Sequence, residues 1–325
     1  MNILVIFTGG TIGSSYKDGW ISPDDANRFR LIEGYEKNEG KTVDFTAVSP
    51  YTVLSENLGA AEMNMLIDCL CENIGKGFDG IIVAHGTDSL LYSAAAAAFC
   101  LGETEIPVLF VSSNKPLESD GANGALNFEA AVEFIRNKAG RGVYLSYSND
   151  GKTAVFHRSL KALRHPECSD AVFSLDNNFY AVYDGGKVIK NTAFKSVSAG
   201  KALGKVDFTA SPCIDVVTVS PVESYNRDLS ATKALVLLPY HSGTLNTASE
   251  RFAAFCKKAK AADVPVFVPC VDTASAYESR KAFAELGLTV LPCSSSVAVI
   301  TKIWIAASLG ENIADFVLSP LADEY

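Results

Sequence analysis

Short, unbroken apolar runs alternate with longer amphipathic stretches along the first half of the chain. Ile3–Phe7, Gly80–Ala84, Pro107–Ser112 and Gly142–Ser146 are apolar up to the closing Ser112 and Ser146, and helical periodicity occupies the intervals near Ala60–Ile74, Ser89–Leu101 and Asn127–Asn137. Strands that are apolar on both faces and separated by helices predict βαβ units around a parallel sheet covered on both sides. Ligands of such sheets gather at the carboxyl ends of the strands, so the chemistry is expected in the segments that follow these runs. Asp150-Gly151, between Val143–Tyr147 and Thr153–His157, predicts a hairpin turn. The run Ala94–Ala98 reads as a close-packing helix face.

From Gly185 to Asp207 the chain is polar, carries Gly and Lys, and has no sustained period, which predicts a linker. The alternation then resumes with Val216–Ser220, Ala234–Leu238, a helix near Thr247–Ala262, Val264–Val268, a helix near Ser275–Leu286 and a last helix over Ser296–Leu309. The expected architecture is α/β, with a larger N-terminal parallel-sheet domain over residues 1–186, a linker over 187–207 and a smaller C-terminal α/β domain over 208–325. A length of 325 residues agrees with two cores, because single cores stop growing at roughly 250–300 residues.

Hydrophobic residues make up 48% and charged residues 20%, an ordinary globular balance, and no apolar run approaches the ~18 residues of a membrane span. The net charge is −9, and no cluster of Lys and Arg is interleaved with aromatics, so neither nucleic acid nor a membrane is the expected partner. The chain runs from Met1 straight into a strand with no basic leader, which sets a cytoplasmic location as the expectation. Eight cysteines lie mostly in apolar segments without paired zinc-ligand spacing. Buried thiols are expected of them rather than disulfides or metal ligands, with Cys69-Leu70-Cys71 in a helix.

The strand Ile3–Phe7 ends in Thr8-Gly9-Gly10-Thr11-Ile12-Gly13. Three readings compete: a plain turn, a phosphate cradle and an activated Thr nucleophile. A P-loop needs a Lys after its glycines, and a dinucleotide fingerprint needs a third Gly with an acidic residue after the next strand; both are missing. The run Gly80–Ala84 ends in a second motif, His85-Gly86-Thr87-Asp88-Ser89. There a strand gives way to a helix, where backbone N–H groups and the helix dipole stabilise an anion or a forming oxyanion. The plainer alternative for Asp88 is a helix cap.

Together, "TGGTI" and "HGTD" resemble the two signatures of bacterial-type L-asparaginases, with the similarity closest to the cytoplasmic type I members. It extends through Asp120-Gly121, Asn127, Ala234–Asn246 and the closing "VITKIWIAASLG". The resemblance implies a Thr nucleophile that hydrolyses a side-chain amide through a β-aspartyl ester, with no metal and no organic cofactor. It assigns Thr11 as nucleophile, Thr87 to the reacting amide and the attacking water, Asp88 to the substrate ammonium and Ser55 to its α-carboxylate. It also implies that a neighbouring subunit completes the site through an Asn. Asn246, in the turn Tyr240–Asn246, is the candidate, and a homodimer or homotetramer follows. A polar turn residue is the alternative for Asn246, and His241 reads as structural.

Three positions depart from the pattern. Where the family has lysine, alignment back from Ala171-Val172-Phe173 places Arg164, with Lys161 as the rival and a solvated surface lysine as the alternative for it. An arginine holds positive potential but does not relay a proton. The loop tyrosine of the family aligns with Trp20, whose indole donates but does not accept; Tyr16 is the substitute, and an apolar plug is the other reading of Trp20. Glu56 adds a carboxylate beside Ser55, which favours an ammonium-bearing substrate unless it faces solvent. L-Asparagine hydrolysis is the leading function. A noncatalytic amino-acid sensor or scaffold, and a hydrolase of another ω-amide such as glutamine, are the alternatives.

Overall fold

The computed structural model describes all residues except 18, 24–28, 40–41, 196–201, 272–275, 293, 323 and 325, together with the side chains of 16, 17, 21–23, 39 and 292. The chain divides into two compact units, Met1–Val206 with Leu321–Asp323, and Asp207–Pro320 with Glu324–Tyr325.

In the first unit the elements are β1 (Asn2–Phe7), β2 (Ser14–Lys17), β3 (Trp20–Pro23), α1 (Arg30–Glu39), β4 (Asp44–Val48), α2 (Ala60–Asn73), β5 (Gly80–Ala84), α3 (Thr87–Leu101), β6 (Pro107–Val111), α4 (Gly124–Arg136), β7 (Gly142–Tyr147), β8 (Ala154–Arg158), β9 (Ala181–Asp184) and β10 (Lys187–Lys190). An eight-stranded sheet has the order β10-β9-β8-β7-β6-β5-β1-β4. β4, β1, β5, β6 and β7 run parallel, and β8, β9 and β10 continue the sheet antiparallel.

The burial explains the apolar runs. Ile3 through Ile6 and Ile81 through Ala84 have no exposed surface, so both faces of these strands are covered. One face packs against α1 and α4, where Ile3, Val5 and Ile82 meet Leu31, Tyr35, Phe128 and Ala131. α3 is buried nearly all round, including Ala94–Ala98, and packs on β7 and α2, as expected of a helix whose small residues allow close approach.

In this unit and in the cysteines the structure differs from the sequence-based expectation. Lys187–Lys190, expected in the linker, is the edge strand β10, because Gly185-Gly186 forms a two-residue hairpin turn with both φ values positive, 54° and 78°, between the paired Asp184 and Lys187. The cysteines also depart from the buried set expected: among the described residues the thiols are all free, yet only Cys100 and Cys256 are buried, and Cys168 is exposed. Cys69 and Cys71 lie in α2 as the spacing implied.

The second unit holds β11 (Ile214–Thr218), β12 (Ala234–Leu238), α5 (Glu250–Ala261), β13 (Val266–Val271), β14 (Leu288–Pro292), α6 (Ser296–Leu309) and α7 (Ile313–Leu318). Its four strands are parallel in the order β11-β12-β13-β14. α5 covers one face through Phe252, Phe255 and Ala259, and α6 with α7 covers the other through Val299, Ile303 and Val317. The helix expected near Ser275–Leu286 is instead a 3₁₀ turn over Glu278–Ala282. Bonds three residues apart, Arg280 N to Tyr277 O and Phe283 N to Arg280 O, tighten it before β14 begins. None of the described helices is long and apolar enough to cross a membrane.

Candidate active site

β1 has β4 on one side and β5 on the other, so successive connections leave it in opposite directions. The carboxyl end of β1 is therefore the topological switch point of the larger sheet, where a crevice opens in folds of this kind. The segments arriving there are Thr8–Gly13 after β1, Val53–Asn57 beyond β4 and His85–Asp88 after β5.

The glycine pair is explained by what surrounds it. Thr8 N and Oγ1 both donate to Ala84 O, at 3.1 and 3.0 Å, while Val53 N donates to Thr8 O and Gly10 N to Val53 O, each at 3.1 Å. These bonds clamp the segment between its two neighbours. Gly9 and Gly10 have φ values of +99° and +75°, and a Cβ on them would lie 2.4 Å from Val53 O and 2.2 Å from Gly86 Cα. No side chain fits at either place. Gly86 is as tightly enclosed, since a Cβ there would lie 2.5 Å from Ser55 Oγ. The residues directly before Thr11 and Thr87 are thus in backbone contact. Thr11 opens a 3₁₀ turn, Thr11–Gly13, that is tied back by Gly13 N and Ser14 Oγ donating to Gly10 O at 3.0 and 2.7 Å.

The second threonine motif starts α3. Its N-cap is Gly86, with no side-chain cap, so Asp88 is not serving as the cap. Instead Ser55 Oγ donates to Asp88 Oδ2 at 2.9 Å and accepts from Asp88 N at 3.2 Å, and Ser89 Oγ donates to Ser55 O at 2.7 Å. Ser55 and Thr87 are buried, whereas Asp88 is exposed in the first turn of α3, where the helix dipole favours its negative charge. Glu56 follows Ser55 in the turn Ser55–Asn57 and is exposed.

Behind the motif, His85 is wholly buried; its Nδ1 lies 2.8 Å from Gly86 O, and burial lowers its pKa to about 4. Ser112 Oγ donates to His85 O at 2.7 Å, Asn127 Nδ2 donates to Ser112 O at 2.8 Å, and Asn127 Oδ1 accepts from Ser148 N at 2.8 Å. One buried carboxamide on α4 thereby ties the ends of β6 and β7 to the motif on β5.

The basic candidates separate by burial. Lys161 closes a 3₁₀ turn, Ser159–Lys161, that packs on α3, and it is only 5% exposed, so the reading of a solvated surface lysine is corrected. Arg164 is exposed and lies near Tyr92 of α3, where its charge opposes the rise that burial gives the phenol. Next to it stands a residue that sequence reasoning passes over. The ring of His165 reaches Thr87 O with Nε2 at 3.2 Å and Ala171 O with Nδ1 at 3.1 Å. A histidine directly after the suspected arginine is the only signal the sequence offers for it.

In the loop after Thr11, Trp20 pairs with Lys17 across the β2–β3 hairpin and is 76% exposed, so it does not plug the crevice. Tyr16 pairs with Ile21, and its side chain lies outside the described residues. In the second unit, Asn246 Oδ1 accepts from Tyr225 Oη at 2.7 Å, which leaves its amide N–H groups as what it can offer. Its turn is closed by Gly243 N donating to Tyr240 O at 2.8 Å, and His241 is exposed.

These features define an α/β protein in which two threonine motifs and a serine–aspartate pair meet at the switch point of the larger sheet. Residues 2–188 match the family model described as Asparaginase, N-terminal, and the chain belongs to the asparaginase family. Curated relatives include a glutamyl-tRNA(Gln) amidotransferase subunit of Methanococcus maripaludis, 31% identical over 209 residues that span 61% of this chain and 42% of that protein. The corresponding glutamyl-tRNA(Gln) amidotransferase subunit of Methanosarcina mazei is 28% identical over 279 residues, 82% of this chain and 63% of that one. The chain thus spans about half the length of the curated relatives it matches. Among solved structures, the thermostable L-asparaginase of Thermococcus kodakarensis has a TM-score of 0.77 at 19% identity, covering 100% of this chain and 99% of that one. L-Asparaginase I of Vibrio cholerae has a TM-score of 0.75 at 20% identity, covering 99% and 98%. At these identities the likeness is one of fold.

Proposed function

We propose that the protein is an amidohydrolase that converts L-asparagine to L-aspartate and ammonia. The observation that carries this reading is the convergence of Thr11, Ser55, Thr87 and Asp88 at one switch point, fixed by the Gly10–Gly86 backbone contact. The Thr11 hydroxyl attacks the carboxamide carbon; its O–C bond forms, the C–N bond breaks, and ammonia departs with the proton. Water guided by Thr87 then attacks the β-aspartyl ester, releases aspartate and returns the proton to Thr11. The first turn of α3, with the positive end of its dipole, suits the oxyanion formed in both steps.

Ser55 and Asp88 form the subsite for the amino-acid end. In the free protein the Ser55 hydroxyl is committed to Asp88. A substrate ammonium takes over the charge of Asp88 and frees Ser55 to donate to the α-carboxylate. A Thr hydroxyl needs a partner that takes and returns a proton. Of the two basic candidates, burial against α3 favours Lys161, whose side chain can exchange a proton where a guanidinium does not. Asn246 acts on the site of a neighbouring copy, which makes a homodimer or homotetramer the active form.

The test is ammonia release from a panel of ω-amides by the wild-type protein and by Thr11→Ala and Thr87→Ala. Both variants should lose roughly a thousandfold or more in turnover with little change in melting, since each hydroxyl acts in the transition state. Full turnover in folded variants refutes the reading. The names of the curated relatives favour a second reading, in which glutamine's amide is the one cleaved and is passed on to an acceptor. Preference for glutamine in the same panel, with ammonia withheld until an acceptor is present, selects it.

A further inference from the structure

Ala162 bridges Ser174 and Leu163 N donates to Phe173 O at 2.9 Å, so residues 163–173 form a loop that is closed at its foot, directly after Lys161. Asn149 ties down one limb of it, with Nδ2 donating to Val172 O at 2.9 Å and Oδ1 accepting from Val172 N at 3.0 Å. His165 stands on the other limb. Its half-buried ring spans the loop to Ala171 O through Nδ1 at 3.1 Å and leaves the loop to Thr87 O through Nε2 at 3.2 Å.

Both partners of the ring are carbonyl oxygens, which only accept. A neutral imidazole carries one N–H and donates to one of them, leaving a nitrogen lone pair against the other, whereas the imidazolium donates to both. Charges of both signs surround it. Arg164 precedes the ring on the loop, near Tyr92 of α3, and the positive end of the α3 dipole lies at Thr87; Asp170 of the loop and Asp88 of α3 supply two carboxylates. Burial raises the pKa of Asp170 and the charge of His165 lowers it, as expected of a carboxylate within reach of an imidazolium.

The bond to Thr87 O acts on a single peptide unit. The oxygen of that unit faces His165, and its N–H, that of Asp88, donates to Ser55 Oγ at 3.2 Å, which in turn donates to Asp88 Oδ2 at 2.9 Å. The two ends of a trans peptide point in opposite directions, and donation to the carbonyl strengthens the N–H as a donor. We propose that His165, with protons on both ring nitrogens, is a positioning residue that holds this peptide against Ser55 and makes the alignment of Thr87 and Asp88 depend on its own protonation. The inference rests on the reading of Thr87 and Asp88 as parts of an amino-acid-amide site. When rising pH removes a ring proton, one of the two bonds is lost. The loop then loosens either across its own width or from α3, and in both cases the peptide is held less firmly.

The peptide is read directly, because the pair Thr-Asp occurs once in the sequence. Threonine isotope-labelled at its carbonyl carbon and aspartate labelled at nitrogen give one coupled amide signal in NMR, that of Asp88. Labelled histidine reports the rings, and His165→Gln identifies the one at issue. The Asp88 signal should shift with pH at the midpoint of the His165 ring, and that step should vanish in His165→Gln. The kcat for ammonia release from L-asparagine should decline on the alkaline side of the same midpoint. His165→Phe, which has no donor, should lower kcat roughly tenfold on the acid side. His165→Gln, which keeps a donor for Thr87 O but does not titrate, should retain about half of the wild-type kcat or more, with that limb of the profile flattened. An Asp88 signal that moves independently of the ring overturns the inference, as do equal losses in both variants with lowered melting, or a His165→Phe protein with wild-type kcat and profile. A linked Asp88 shift in protein that releases no ammonia from any ω-amide overturns hydrolysis and supports the hold on the peptide.

Discussion

Replacing Gly10 with Ala tests whether the glycine pair sets the site or merely turns the chain. The added Cβ would lie 2.2 Å from Gly86 Cα and 2.4 Å from Gly86 N, where ordinary contact begins at 3.4 Å, so the loop must withdraw by about 1 Å. Neither atom can step aside, because Gly86 is pressed on its other face by Ser55. The positive φ adds about 1–2 kcal/mol for an L-residue, and crowding against fixed backbone adds about 1–3 kcal/mol. Calorimetric melting should therefore fall by on the order of 10 °C. If Thr11 is the nucleophile, displacing its loop by ~1 Å should reduce kcat about a hundredfold in protein that is still folded. Wild-type melting would refute the steric argument, and lowered melting with undiminished kcat would refute the claim that Gly10–Gly86 contact positions Thr11.

Three further outcomes are expected. Lys161→Met should abolish amide hydrolysis, while Arg164→Lys retains most of it with the same pH–rate profile; the reverse pattern returns the basic role to Arg164. If Asn246 completes a neighbour's site, specific activity should fall as dilution yields monomers by light scattering, and Asn246→Ala should lower turnover without changing the assembly; a fully active monomer refutes this. Burial holds His85 at about 4 and His157 at about 3, whereas an unfolded histidine titrates near ~6.5. The unfolded chain then takes up protons that the native chain does not as pH falls below ~6.5. Stability should be full above that value and decline toward pH ~4, at up to about 1.4 kcal/mol per pH unit for each histidine. Urea unfolding across this range should show a smaller slope in His157→Gln, and equal slopes refute the assignment.

Much of the fold is legible in the sequence because the larger sheet is buried on both faces. Gly80–Ala84 and Ala234–Leu238 have the bounds that their apolar runs predict, since every residue in them is shielded and none breaks the pattern. β4 is not legible. At the sheet edge Asp44, Thr46 and Ala47 are exposed and only Phe45 and Val48 are half-buried, and the run Asp-Phe-Thr-Ala-Val carries no clean signal. α1 is mostly polar and, among its described side chains, buries only Leu31 and Tyr35, so its period is thin. β10 escapes for a different reason: Gly185-Gly186 has the composition of a linker and also that of a hairpin turn, and only the pairing of Asp184 with Lys187 decides between them. Length of pattern, not strength of propensity, separates the elements that can be read from those that cannot.

The site is legible only where a strand end fixes the position of its residues. Thr8–Thr11 and Gly86–Asp88 follow directly from buried strands, so their places are set once the strands are recognised, and the missing side chains at Gly10 and Gly86 record the contact between them. The basic position has no such frame. Between β8 and β9 the chain passes through the turn Ser159–Lys161 and an irregular path to Ser174, held by the bridge of Ala162 to Ser174 and by Leu163 N donating to Phe173 O. In that stretch, counting residues back from Phe173 measures distance along the chain and not across it. The count selects Arg164, which is exposed, over Lys161, which packs against α3, and it gives no weight to His165. The place of His165 depends on contacts with Thr87 and Ala171 that cross 78 and 6 residues of chain. A role that arises from where a loop is moored leaves no spacing to read, and it becomes visible only when the partners of each nitrogen and oxygen are traced.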